Sequence, residues 1–125
     1  MNEAQIISSL IIPALDEKGW NAHDIFHYKV KFKIDTTVKP RYADIVLFAL
    51  LKPIGVIEVK KTGTDLNMAL NQAKSYAEDL GAELIYASDG TDYVQYNAEA
   101  QSSERIDGIP TVRELHENHN FHRYE

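Results

Sequence analysis

The chain contains no cysteine. Disulfides and thiolate metal sites are therefore excluded, and the composition suits a reducing compartment. No apolar run approaches the roughly 18 residues that a membrane span requires. The N-terminus lacks the basic-then-apolar pattern of a secretory signal, so a cytoplasmic location is expected. There is no glycine-rich phosphate loop, which leaves no ATP site and no ATPase motor within this chain. Positive charge is scarce as well: 13 Lys and Arg against 19 Asp and Glu give a net charge of −6. A free-standing nucleic-acid binder ordinarily has the opposite balance, because phosphate contacts need Lys and Arg. The deficit is uneven, however. Between residues 27 and 61 stand Lys29, Lys31, Lys33, Lys39, Arg41, Lys52, Lys60 and Lys61, against only Asp35, Asp44 and Glu58.

What is present bounds the fold. The 125 residues, 44% of them hydrophobic, suffice for one domain with one two-layer core. Ile6, Ile7, Leu10, Ile11, Ala14 and Leu15 recur at three-to-four spacing and predict an amphipathic helix over residues 3–17. Asn2 is its expected N-cap and Gly19 its stop. Pro13, costing about 3 kcal/mol in a helix interior, predicts a kink or a break into two short pieces. Residues 28–34 alternate, with Tyr28, Val30, Phe32 and Ile34 on one side and Lys29, Lys31 and Lys33 on the other, as in a half-buried strand. Residues 42–50 and 54–60 are more continuously apolar, as for central strands, and Leu51-Lys52-Pro53 predicts an antiparallel hairpin between them.

Residues 65–80 predict a second helix, from a Thr64 cap to Gly81, with a stripe of small apolar residues suited to close packing on a sheet. A strand over 83–88, a turn at Ser88-Asp89-Gly90 and a strand at Tyr93-Val94-Gln95-Tyr96 follow. Residues 98–108 are polar and are expected to form a loop. Thr111 and Glu114 are spaced as a capping box for a short helix, and Asn118 to Glu125 reads as a tail. The expected order is α-β-β-β-α-β-β in a mixed α/β sheet fold with one right-handed crossover. The core spans about residues 2–97, and residues 98–125 form a loop, a short helix and a tail, or a linker onward.

Two acids stand inside the apolar runs, in Ala43-Asp44-Ile45-Val46-Leu47-Phe48 and Ile54-Gly55-Val56-Ile57-Glu58-Val59-Lys60. A buried carboxylate is costly unless it is paired or binds a cation. Asp44, Val46 and Phe48 share one face of their strand; Val56, Glu58 and Lys60 share one face of theirs. A hairpin register that joins those faces puts Asp44 beside Glu58, where two carboxylates repel unless a cation lies between them. Oxygen donors with no His or Cys nearby suit Mg²⁺, with Mn²⁺ as a substitute. Such an ion activates water and polarises phosphate oxygens. Lys60 is placed to steady developing negative charge, and the Val59 carbonyl offers a further oxygen. The plainer alternative is a surface pair of Glu58 and Lys60 on an edge strand, worth about 0–1 kcal/mol.

Arg41-Tyr42-Ala43-Asp44-Ile45-Val46-Leu47, Ile57-Glu58-Val59-Lys60-Lys61 and Gln72-Ala73-Lys74-Ser75-Tyr76-Ala77 resemble the N-terminal nuclease domain of the R (restriction and motor) subunits of type I restriction enzymes, within the PD-(D/E)XK nuclease superfamily. Asn2-Glu3-Ala4, Leu10 to Leu15, Gly19-Trp20-Asn21, Ile85 to Gly90, and Ile109-Pro110-Thr111 with Glu114-Leu115 extend the likeness over about residues 2–115. Ala43 stands where such nucleases loosely keep a proline. The resemblance implies a restriction-endonuclease-like three-layer core that cuts double-stranded DNA. Asp44 and Glu58 would be the metal ligands, with Glu3 completing the site, and Lys60 the catalytic lysine. It implies that Gln72 and Tyr76 reach DNA or brace the site. It also implies partners: a motor domain, and methyltransferase and specificity subunits.

Each of these residues has a plainer reading. Glu3 is then an acid favoured by a helix's first turn. Tyr76 becomes core and Gln72 its solvated neighbour. Lys29, Lys31 and Lys33 either contact phosphates or protect a sheet edge from aggregation. His116, His119 and His122 have a spacing that can bind metal on a helix, though in a polar tail solvation is the simpler state. Trp20 reads as a packing anchor. Three classes therefore stand: a Mg²⁺-dependent endonuclease, a catalytically silent nuclease-like module that binds DNA or docks onto partner subunits, and a purely structural α/β domain with no metal affinity.

Overall fold

The N-terminal helix starts at the expected cap. Asn2 accepts from the Gln5 amide and Gln5 returns a bond to the Asn2 amide, both at 2.8 Å. In this computed structural model, which describes residues 1–21, 27–34, 40–49, 51–98 and 100–118, the helical run continues past Pro13 without a break. It passes from α1 (Glu3–Ile6) through a π turn (Ile7–Ile11) into α2 (Ile12–Glu17). The Ile12 amide bonds the Ile7 carbonyl, five residues back. One extra residue in the turn accommodates the proline, which has no N–H and whose ring crowds the carbonyl four residues back.

The six-stranded sheet has the order β1-β2-β3-β4-β5-β6. Its strands are β1 (Tyr28–Ile34), β2 (Arg41–Ala49), β3 (Lys52–Val59), β4 (Leu84–Ser88), β5 (Tyr93–Asn97) and β6 (Ser102–Ile106). Only β3 and β4 are parallel, joined by the crossover helix α3 (Leu66–Leu80); all other neighbours are antiparallel. Asp65, not Thr64, caps α3, accepting from the Asn67 amide at 2.9 Å. Gly81 ends the helix as expected, in the left-handed conformation.

The sheet lies between two apolar clusters, so the layers number three. One gathers Ile6, Ile7, Ile11 and Leu15 of the N-terminal run against Ile45, Leu47, Ile57 and Val59. The other packs Ala69, Leu70, Ala73, Tyr76 and Ala77 of α3 on Ala43, Val46, Phe48 and Val56. The small side chains of α3 let its backbone approach the sheet closely.

Two expectations require correction. Residues 98–108 are not simply a loop, since β6 pairs with β5 from Tyr93↔Ile106 to Asn97↔Ser102. β6 is exposed along most of its length, so no apolar alternation marks it. The core does not stop near residue 97 either: Ile109 and Leu115 are buried in the first cluster, and the Trp20 indole donates to the Pro110 carbonyl at 2.9 Å. The short helix α4 (Val112–Asn118) has its expected cap, with Thr111 Oγ1 accepting from the Glu114 amide at 3.0 Å.

The even alternation of β1 also fails. Tyr28 belongs to the cluster under the N-terminal helix, whereas Phe32 and Ile34 pack on the α3 side. Val30 is 36% exposed. The strand changes face at Lys31, whose φ is +55°.

Candidate active site

The register of three strands builds a row of charged residues. β1 pairs Val30 with Ile45 and Phe32 with Ala43, which sets Lys31 opposite Asp44. β2 pairs Ile45 with Ile57, so Asp44 is followed across the sheet by Glu58. Glu58 in turn lies beside Ala87 of β4. Since Ile57 and Val59 face the N-terminal helix, Glu58 between them faces the α3 side.

At Asp44 and Glu58 side chains take over the link between the strands. Glu58 Oε1 accepts from the Asp44 amide at 3.0 Å, and Asp44 Oδ2 accepts from the Val59 amide at 2.8 Å. Asp44 is 7% exposed and Glu58 3%. Asp44 Oδ1 meets the Lys31 ammonium at 3.3 Å. Lys60 follows the end of β3, half-buried, with its amide bonded to the Ser88 carbonyl at 3.0 Å.

The electrostatics are those of two crowded acids. Burial first, and then the charge of Asp44, push the Glu58 carboxyl up to about 8, while the nearby Lys60 charge pulls it back down. A proton on the pair relieves that repulsion, and a cation between the two carboxylates would relieve it in the same way. A stability prediction follows from the sign. Because the native pKa lies above the ordinary 4.5, Glu58 contributes its full stability below pH 4.5 and loses it as pH rises toward 8. The loss is on the order of 5 kcal/mol at most. In EDTA, the wild-type urea midpoint should fall from pH 5 to pH 8.5 by more than that of Glu58→Gln. Parallel pH profiles for the two proteins would refute the assignment.

The other expected site residues are distributed unevenly. Glu3 opens the helical run on the opposite face, half-buried. Among the described residues no three His, Cys, Asp or Glu side chains gather closely enough to share an ion, so Glu3 does not join the pair. Gln72 Nε2 donates to the Tyr76 hydroxyl at 2.9 Å. Tyr76 is buried under α3, with the Arg41 guanidinium 5.2 Å above its ring. This is the plainer arrangement: Tyr76 is a core residue, and the exposed Gln72 one turn earlier on the same helix bonds its hydroxyl. Lys29 and Lys33 are exposed on β1. His119 and His122 lie outside the described residues, and His116 falls within α4.

Sequence reasoning missed the partnership of Lys31 with Asp44 and the stacking of Arg41 on Tyr76. Lys31 could have been found by counting the β1–β2 register back from Asp44, had the strand ends been known.

Among known proteins, a model of the type I restriction enzyme R protein N terminus matches residues 9–110. The chain is 26% identical over 131 aligned positions to the type I restriction enzyme EcoAI endonuclease subunit of Escherichia coli. That match covers 92% of this chain and 16% of the relative. Its fold matches that of a fragment described as an HsdR subunit of a type I restriction enzyme from Vibrio vulnificus, with a TM-score of 0.76 at 23% identity. There the match covers 94% of this chain and 25% of the other.

Proposed function

The chain belongs to the family of type I restriction enzyme R protein N termini, and from that premise we propose that it is a divalent-metal-dependent endonuclease unit acting on double-stranded DNA. The observation that carries this reading is the buried Asp44–Glu58 pair on adjacent strands, flanked by Lys31 and Lys60. The donor set fits a hard cation: two carboxylates, with the Val59 carbonyl alongside and no thiolate in the chain. Asp44, Glu58 and Val59 would hold Mg²⁺, with Mn²⁺ able to substitute. When bound, the ion supplies Lewis acidity toward phosphate and a lowered pKa for water.

The chain's own groups complete the chemistry. Lys60 lies near enough to act on the charge of Glu58, where it would meet charge developing on a reacting phosphate. The hydrogen bonds from the Asp44 and Val59 amides hold both carboxylates in place before any ligand arrives. Gln72 and Tyr76 brace the helix behind the site. Methyltransferase and specificity subunits and a motor domain are the proposed partners, and the cytoplasm the proposed location.

Calorimetric titration of Mn²⁺ or Mg²⁺ into the chain tests this reading. Wild type should bind, and Glu58→Ala should bind at least about tenfold more weakly. A folded wild type that takes up no metal, alone or with a short DNA duplex, would overturn it.

A further inference from the structure

Of the three residues in the charged row, Lys31 alone has a positive φ, +55°. For a side-chain-bearing residue in mid-strand that conformation costs on the order of 1–2 kcal/mol. Strained positions of this kind persist where the surroundings over-determine them, and they gather at functional sites. Here the consequence is visible on both sides of Lys31. Tyr28 packs under the N-terminal helix, Phe32 and Ile34 pack toward α3, and the ammonium between them reaches Asp44 Oδ1 at 3.3 Å.

The oxygens of Asp44 are divided. Oδ2 is committed to the Val59 amide, and Oδ1 receives the ammonium. The side chains differ sharply in exposure, 56% for Lys31 and 9% for Asp44, so the lysine enters the pair from the solvent side. A divalent ion approaching Asp44 needs the same oxygen. An ammonium and a divalent ion cannot share it without like-charge repulsion. Lysine is suited to leaving, with its charge on a flexible stem that can swing into water.

We propose that Lys31 is the resident counter-ion of Asp44, occupying in the metal-free chain the oxygen that a divalent cation takes, and that the incoming cation displaces it. This rests on the metal-dependent reading above and assigns Lys31 a positioning role distinct from that of its strand neighbours Lys29 and Lys33. The lysine then holds the acid pair together without metal, and weakens metal binding by the strength of its own contact.

The test is Mn²⁺ calorimetry on the 125-residue chain carrying Lys31→Asn, since Asn tolerates positive φ. Loss of a half-exposed ion pair predicts about two- to fivefold tighter Mn²⁺ binding than wild type. Lys31→Arg, which keeps the charge, should stay within about twofold of wild type. The rise in Tm on saturation with Mn²⁺ should be larger for Lys31→Asn than for wild type. Should Lys31→Asn fail to fold, Lys31→Gly removes the charge with no backbone strain. Unchanged or weaker binding by the neutral variants overturns the counter-ion role. The metal site itself is judged separately by Glu58→Ala, so the two failures are distinguishable.

Discussion

Asp44→Asn is expected to remove metal-dependent DNA cleavage, with a loss on the order of a thousandfold. The substitution is nearly isosteric, and its amide oxygen can still accept from the Val59 amide, as Asp44 Oδ2 does at 2.8 Å. What disappears is the negative charge, and with it half of the site's attraction for a cation. Glu58→Gln should behave alike, since the bond from the Asp44 amide to Oε1 at 3.0 Å also needs no charge. Both variants should keep the fold, and at alkaline pH they should gain stability because the acid pair no longer repels. Nicking of supercoiled plasmid by the chain in Mn²⁺ is the measurement, with circular dichroism confirming the fold. Undiminished nicking by Asp44→Asn would place the chemistry elsewhere. Because both variants keep the hydrogen-bond acceptor that the opposite strand uses, loss of nicking with an unchanged dichroism spectrum isolates the charge as the cause.

Gly90→Ala is expected to destabilise the chain by about 2–4 kcal/mol, a large share of the 5–15 kcal/mol typical of a domain. Gly90 has φ +91°, and an added Cβ would lie 2.6 Å from Leu10 Cδ1, 3.0 Å from Ile6 Cγ2 and 3.1 Å from Leu10 Cβ. The Leu10 methyl can rotate away. Ile6 is buried and β-branched, and Leu10 Cβ is tied to the helix backbone, so those two contacts cannot relax alone. The turn cannot easily move either. Gly90 donates to Ser88 Oγ, and Asp89 Oδ1 accepts from the Thr91 and Asp92 amides. Gly63 supplies the control, because its φ is +90° but a Cβ there meets nothing within 4 Å. Gly63→Ala should show the conformational cost alone, on the order of 1 kcal/mol. Urea denaturation of both variants measures the difference, and equal destabilisation would mean that the helix does not press on this turn.

Much of this was legible in the chain itself. Continuous apolar runs around Asp44 and Glu58 mark central strands, because only a strand buried on both faces needs apolar residues at consecutive positions. The turn expected at Leu51-Lys52-Pro53 makes those strands antiparallel neighbours; the link is shorter still, since Lys52 and Pro53 already pair with Ala49 and Phe48 in the sheet, and the acids meet at the observed register. Small residues at helical spacing from Ala69 to Ala77 announce a helix lying close on a sheet. Resemblance of the motifs to type I R subunits pointed to the family that the match over residues 9–110 supports.

Other features belong to the tertiary structure, each for a physical reason. β6 is held by backbone bonds to β5 and is exposed along most of its length, so nothing in its side chains selects it as a strand. Ile109 and Leu115 look like isolated apolar residues in a polar region until the Trp20 indole, 90 positions earlier, bonds the Pro110 carbonyl and brings them into the core. Lys29, Lys31 and Lys33 form an even row in the sequence, but a single left-handed residue reverses the strand's face and gives Lys31 alone of the three to Asp44. Periodicity reports which residues are apolar, and it determined here the elements and the two acids. Backbone torsion and long-range register decide which further polar groups meet, and only they could add Lys31 to the row of Asp44 and Glu58.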